Sequence, residues 1–144
     1  MRRAIIAIAC SAGCAYSSHD FVPGPMATRL PSCLDIHIEP ITDPAAVGPV
    51  LSFNIGNRCD HRMWVDFSQI EVEGRDAEGQ IVVVAAQDPR LEIQPGWVPA
   101  RWFIRENLEF RPVPPAEAPL AELCVDPSRL EPNAAPHSVC MRTP

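Results

Sequence analysis

Between residues 34 and 56 the chain alternates apolar and polar side chains with a period of two. Leu34, Ile36 and Ile38 alternate with Asp35, His37 and Glu39; Leu51, Phe53 and Ile55 alternate with Ser52, Asn54 and Gly56. This spacing turns one face of a strand towards a core and the other towards water, and Asp43-Pro44 supplies a turn between the two runs. A third apolar run covers about residues 62–73, with Val65 and Phe67 out of phase with Ile70 and Val72. The slip at Ser68-Gln69 predicts a bulge or a change of sheet. Residues 74–79 are a polar hairpin loop leading into residues 81–84, whose unbroken β-branched run predicts a strand covered on both faces. Asp88-Pro89-Arg90 turns into a short strand at 91–93, and Pro95-Gly96 turns again into a strand from 97 to 105. Trp102 and Ile104 are its expected core residues, and Leu108 and Phe110 extend the pattern. Residues 111–119 hold four prolines and predict an irregular crossing. Residues 123–125 and 138–141 predict a closing hairpin, with Asp126-Pro127-Ser128 in its loop suited to open one helical turn.

With 17 prolines and 7 glycines in 144 residues, long helices are disfavoured and the chain is expected to be all-β. Seven or eight short strands separated by turn signals roughly every 8–12 residues describe a β-sandwich, most simply an immunoglobulin-like one. In architecture it resembles the generic immunoglobulin-like modules of bacterial envelope proteins. It lacks the antibody Cys…Trp…Cys spacing, because Trp64 follows Cys59 too closely.

The N-terminus has a different character. Arg2 and Arg3 precede an apolar run at residues 4–9, and Ser11-Ala12-Gly13 leads into Cys14. The run is far short of the roughly 20 apolar residues that span a bilayer but matches the core of a secretory signal. These residues resemble the lipobox of bacterial lipoproteins, in which a cysteine behind small residues is acylated and becomes the mature N-terminus. Ser11 stands where that family usually carries an aliphatic residue, and cleavage at Cys10 or a non-lipid cut near Ala12 remain alternatives. The resemblance implies a signal peptide at 1–13, a lipid-anchored tether at 14–32 and a β-sandwich domain at 33–144. It also implies a membrane as partner, reached through acyl chains that each contribute roughly 0.8 kcal/mol per buried methylene. Ala15 follows the cysteine where an Asp would favour inner-membrane retention, so the outer membrane is the favoured location. Residues 15–31 have no period and three prolines. Such a tether reaches at most about 55 Å extended and spans roughly 23 Å as a flexible coil.

Charge and cysteines narrow the function further. Removing residues 1–13 takes away two arginines and no acids, leaving 131 residues whose net charge moves from −6 to −8. An acidic chain has no electrostatic reason to bind nucleic acid or an anionic surface. All twelve basic residues are arginine, which excludes lysine Schiff-base and P-loop chemistry. With Cys10 removed and Cys14 acylated, Cys33, Cys59, Cys124 and Cys140 remain, an even set that predicts two disulfides in an oxidising compartment. If the first two strands pair antiparallel, Cys33 and Cys59 lie at neighbouring ends, and Cys124 and Cys140 bracket the terminal hairpin. Cys33–Cys59 with Cys124–Cys140 is the preferred pairing; Cys33–Cys124 with Cys59–Cys140 is its rival.

Three side-chain groups carry candidate chemistry. Cys59-Asp60-His61 and His137…Cys140, with Met63 and Met141, offer soft ligands, but disulfide formation would consume the thiolates and no C-x-x-C pair is present. No cofactor or metal is therefore expected. Glu71, Glu73, Asp76 and Glu78 form an acidic set without the spacing of a calcium loop. Trp97 and Arg101, near Trp102 and Arg105, combine the residue types favoured at interfaces. The expected function is a non-enzymatic, lipid-anchored cell-envelope protein that binds an envelope protein or glycan. The alternatives are a periplasmic protein handling a metal or ligand through His61 and His137, or a protease-inhibitor-like module.

Overall fold

The computed structural model describes residues 15–86, 96–113 and 119–143, and these form an all-β protein with short 3-10 turns as its only helical segments among the described residues. The strands are β1 (Ala27–Arg29), β2 (Leu34–Ile41), β3 (Val50–Asn57), β4 (Met63–Val65), β5 (Glu71–Arg75), β6 (Ile81–Val82), β7 (Val84–Ala86), β8 (Gly96–Val98), β9 (Phe103–Pro112), β10 (Glu122–Asp126) and β11 (Val139–Arg142). They make a five-stranded sheet in the order β1-β2-β3-β9-β7, a four-stranded sheet in the order β11-β10-β5-β6, and a two-stranded ribbon of β4 and β8. All pairings are antiparallel.

The period-two alternation sets the register. Ile36 lies opposite Ile55, Ile38 opposite Phe53, and Leu51 opposite Leu108, so one face of the large sheet is continuously apolar. A one-residue slip would turn all of these side chains out into water. Leu123 and Val125 of β10 and Val139 and Met141 of β11 join the same core cluster from the four-stranded sheet, and Val65 and Val98 join it from the ribbon. Phe53 and Phe67 meet edge to face with ring centroids 5.9 Å apart.

Several expectations are borne out. The chain changes sheet inside residues 62–73: β4 belongs to the ribbon, Asp66 caps a 3-10 turn at Phe67–Gln69, and β5 opens in the four-stranded sheet. Residues 76–80 form the polar turn between β5 and β6, in which Gly79 adopts a φ of 79°. The closing hairpin pairs β10 with β11, and Asp126 caps a 3-10 turn at Pro127–Leu130. Both disulfides follow the preferred pairing, Cys33–Cys59 and Cys124–Cys140.

Other expectations are corrected. Residues 81–84 do not make one strand covered on both faces. β6 pairs with β5 and β7 pairs with β9, so the chain passes from one sheet to the other at Val83, and Ile81 and Val83 are each 66% exposed. The expected strand from 97 to 105 is broken at residues 99–102, where Trp102 N–H donates back to Pro99 O. β9 therefore starts at Phe103, and Trp102 lies outside the core. Ile104 packs against the core as expected. The aperiodic stretch read as a tether contributes β1, whose Thr28 lies opposite Ile36. The expected signal peptide at 1–13, the lipid site Cys14, the expected strand at 91–93 and most of the proline-rich crossing lie outside the described residues.

Candidate interaction surface

The ribbon of β4 and β8 carries two exposed tryptophans. Val65 and Val98 point into the core, so the alternating positions, Trp64 and Trp97, must point away from it. The two indoles lie directly opposite each other in the pairing, with ring centroids 5.0 Å apart in an edge-to-face arrangement. The Arg62 guanidinium sits 4.2 Å from the centre of the Trp97 ring, within cation–π range. At the other end of the connecting loop, Trp102 and Phe103 stack with centroids 5.7 Å apart and planes inclined by 19°. All four rings are 40–49% exposed, although burying such rings is strongly favourable.

The loop that joins the two ring pairs is held from beneath by polar groups. Asn57, fully buried at the end of β3, donates through its side-chain amide to the carbonyls of His61, Val98 and Pro99, and its Oδ1 accepts from Cys59 N–H. Its backbone N–H reaches Trp102 O. Arg101 has a φ of 52°, a left-handed conformation that costs a residue with a Cβ roughly 1–2 kcal/mol. Its N–H donates to Cys59 O and its carbonyl accepts from Tyr16 N–H at 2.6 Å. Cys59 is in turn bound to Cys33. The rings thus stand on a cross-linked frame.

Tyr16 clasps this frame from the outer face of the large sheet. A Cβ at Gly56 would lie 2.1–2.5 Å from atoms of the Tyr16 ring, so only glycine allows the ring to lie across β3. The Tyr16 hydroxyl donates to Asp35 at 2.8 Å. Burial and then this bond to a carboxylate push the phenol well above its ordinary range, so it remains a donor. The Asp35 side chain is fully buried. It accepts from Arg29 at 2.8 Å and forms an ion pair with Arg58, whose Nε is 3.0 Å away but out of hydrogen-bonding alignment.

Comparison with models of known protein families, with curated proteins and with solved structures finds no match.

Of the residues expected at an interface, Trp97 is exposed on the ribbon and Arg101 holds the loop through its backbone. Trp64, Phe103 and Arg62 join them, and no local pattern in the sequence marks these three. Trp64 and Trp97 are 33 positions apart, and nothing local indicates that they pair. Tyr16 was hidden in an aperiodic segment, although it is the chain's single tyrosine.

The metal-ligand candidates are differently placed. His61 Nε2 lies 4.0 Å from Cys33 Sγ, and its Nδ1 lies 3.4 Å from the exposed Asp60. Both cysteines beside it are in a disulfide, so neither offers a thiolate. His137 gives its backbone N–H to Asp126, while Met141 is buried in the core. The acidic set is dispersed into local roles. Glu71 pairs with Arg129, Glu73 with Arg75, and Asp76 accepts the N–H groups of Glu78 and Gln80 within the turn.

Three carboxylates have displaced pKa values. Burial alone would raise each of them, but hydrogen bonds overcome that and hold all three below the ordinary carboxylate range. Glu131 accepts from the backbone N–H groups of Ser32, Cys33 and Leu34, each at 3.0 Å. Glu109 accepts from Val47 and Gly48 and pairs with Arg111. Asp126 accepts from Ser128 and His137. Each satisfies backbone donors that would otherwise lack partners.

Proposed function

We propose that this chain is a non-enzymatic, lipid-anchored module of the bacterial cell envelope that binds through its aromatic end. The observation that carries this reading is the set of four exposed rings, with Arg62 against Trp97, held on a frame of buried polar groups and a disulfide. Rigid aromatic and arginine side chains supply contact area at little entropic cost when a partner covers them. The shifted carboxylates favour a binding role over catalysis, because all three are engaged with backbone donors. The two disulfides indicate an oxidising, extracytoplasmic setting, and no described helix is long and apolar enough to cross a membrane. Lipid attachment at Cys14 rests on the Ser-Ala-Gly-Cys resemblance, and the outer membrane is preferred because Ala15 follows. For the architecture we favour an immunoglobulin-like sandwich, supported by a core shared between the five-stranded and four-stranded sheets.

Labelled palmitate incorporation, followed in the wild type and in Cys14→Ser, tests the anchor. Label should appear in the wild type and vanish in the variant, with the wild type fractionating with membranes. Label retained by Cys14→Ser would place the lipid elsewhere, and label absent from both would leave a secreted protein.

A further inference from the structure

Trp64, Trp97 and Trp102 are the only tryptophans in the chain, and all three flank the Pro99–Trp102 loop or its supporting ribbon. We propose that this aromatic end inserts into the interfacial layer of the same bilayer that holds the lipid anchor, so that the domain lies directly on the membrane surface. The proposal rests on the reading that Cys14 is acylated.

Position is the first argument. Tyr16 is fixed to the domain by its hydroxyl on Asp35, by its ring across Gly56 and by its N–H on Arg101 O, beside Trp102. Cys14 is two residues before Tyr16, and covalent geometry keeps it within about 7 Å of Tyr16 Cα. Acyl chains on Cys14 must therefore emerge beside the loop that carries Trp102. A flexible tether would let the domain stand about 23 Å away, but the clasp leaves a single residue, Ala15, between the lipid-bearing cysteine and the folded frame.

Chemistry is the second. Indole and phenyl rings presented with arginines are the side chains that settle at the headgroup level, apolar bodies towards the acyl chains and polar groups towards water. Arg62 is already stacked on Trp97, where its guanidinium can reach lipid phosphate while the ring enters the interface. The anchor holds the patch near the bilayer at high effective concentration, so modest intrinsic affinity is enough to keep it seated against the net negative charge of the chain.

Because every tryptophan belongs to the patch, intrinsic fluorescence reports on it alone. The full-length protein purified from membranes is reconstituted into vesicles of phosphatidylethanolamine and phosphatidylglycerol, and flotation measures anchoring separately. Docking predicts blue-shifted emission, quenching by lipids brominated on their acyl chains, and at least a several-fold loss of quenching by aqueous acrylamide relative to detergent-free Cys14→Ser protein without vesicles. Trp64→Ala/Trp97→Ala should float equally well, and its remaining Trp102 should lose most of its fractional quenching by brominated lipid. Protein that floats while its tryptophans stay open to acrylamide and untouched by brominated lipid overturns docking, leaves the anchored reading intact, and assigns the patch to a protein or glycan. Protein that neither carries palmitate nor floats removes the anchored reading, and the proposal with it.

Discussion

The aromatic end and the four-stranded sheet treat their exposed side chains in opposite ways. On β5 and the turn that follows β10, charged groups pair at the surface. Glu71 meets Arg129 at 2.7 Å with the two side chains 64% and 56% exposed, and Glu73 meets Arg75 at 2.7 Å with the two side chains about 40% exposed. At the aromatic end the polar groups are buried beneath and the rings are left outside: Asp35 and Asn57 have essentially no exposure, whereas Trp64, Trp97, Trp102 and Phe103 keep 40–49%. Exposed ion pairs are well solvated and contribute little, so these pairs require nothing further from their surroundings, although Ile81 on the β6 edge of the same sheet is 66% exposed. An ordered cluster of exposed rings keeps a favourable transfer energy in reserve for a partner. The difference separates paired charges that are complete in water from clustered rings that are not.

The largest test of this contrast removes the two disulfides one at a time. Loop closure over the sequence separation of 26 between Cys33 and Cys59 is worth about 3.5 kcal/mol, and over the separation of 16 between Cys124 and Cys140 about 3 kcal/mol. Cys33→Ala/Cys59→Ala and Cys124→Ala/Cys140→Ala should thus lose similar stability in urea titrations. Only the first should loosen the frame under the rings, raising acrylamide access to the tryptophans in the folded protein. Equal changes in quenching for both variants would show that the rings do not depend on their local cross-link.

Glu131 lies on the seam between these regions, since it extends from the turn after β10 to the backbone beside Cys33. Glu131→Gln keeps one acceptor for three donors, and the loss should be about 2–3 kcal/mol at neutral pH. The sign of the pH effect follows from its direction of shift. Its folded pKa lies below the ordinary value near 4.5, so its contribution is complete above pH 4.5 and is lost as pH falls through the folded value. Glu109 and Asp126 are shifted in the same direction and titrate on the same acid limb. The variant should therefore show a shallower decline below pH 4.5 without becoming flat. An acid limb identical to the wild type would place the linkage entirely in the other two carboxylates.

Matched single substitutions address the charges directly. Asp35→Asn leaves Arg29 and Arg58 beside a neutral amide and weakens the acceptor for Tyr16, with an expected cost of about 2 kcal/mol, moderated by the partial exposure of both arginines. Glu71→Gln should cost less than about 0.5 kcal/mol. Similar losses in thermal or chemical unfolding would remove the distinction between the two kinds of surface.

Much of this architecture can be seen in the sequence wherever contacts are local or periodic. The alternation at 34–38 and 51–55 states which faces of β2 and β3 are buried, and the cysteines at strand ends state their own pairing once those strands are adjacent. Asp126-Pro127-Ser128 carries its own cap. The hidden parts depend on partners distant in sequence. β4 and β8 are three residues each, too short for a period to register, and they exist because Val65 and Val98 reach a core made elsewhere. β7 leaves the apolar run at 81–84 to pair with β9, which no feature of that run foretells. Trp102 follows the parity of Ile104 and so reads as buried, but the turn closed on Pro99 O delays the strand by one residue and leaves it outside. Tyr16 sits among prolines without any period, and its place is fixed by Asp35 and by the bare backbone of Gly56.

The smallest expected effect is the most discriminating one. Arg101 holds a left-handed φ without the freedom of glycine, and the same two backbone hydrogen bonds would form with glycine in its place. Arg101→Gly relieves a conformational cost of roughly 1 kcal/mol, partly offset by the greater freedom of glycine in the unfolded chain. Stability should be unchanged or up to about 1 kcal/mol higher by urea titration. The Arg101 side chain is exposed beside Trp102, where its guanidinium can reach a lipid phosphate. The glycine variant should accordingly weaken quenching by brominated lipid while leaving the tryptophan emission of the vesicle-free protein unaltered. If instead it unfolds more readily, the arginine side chain is a structural part of the loop, and the aromatic end is as self-sufficient as the four-stranded sheet.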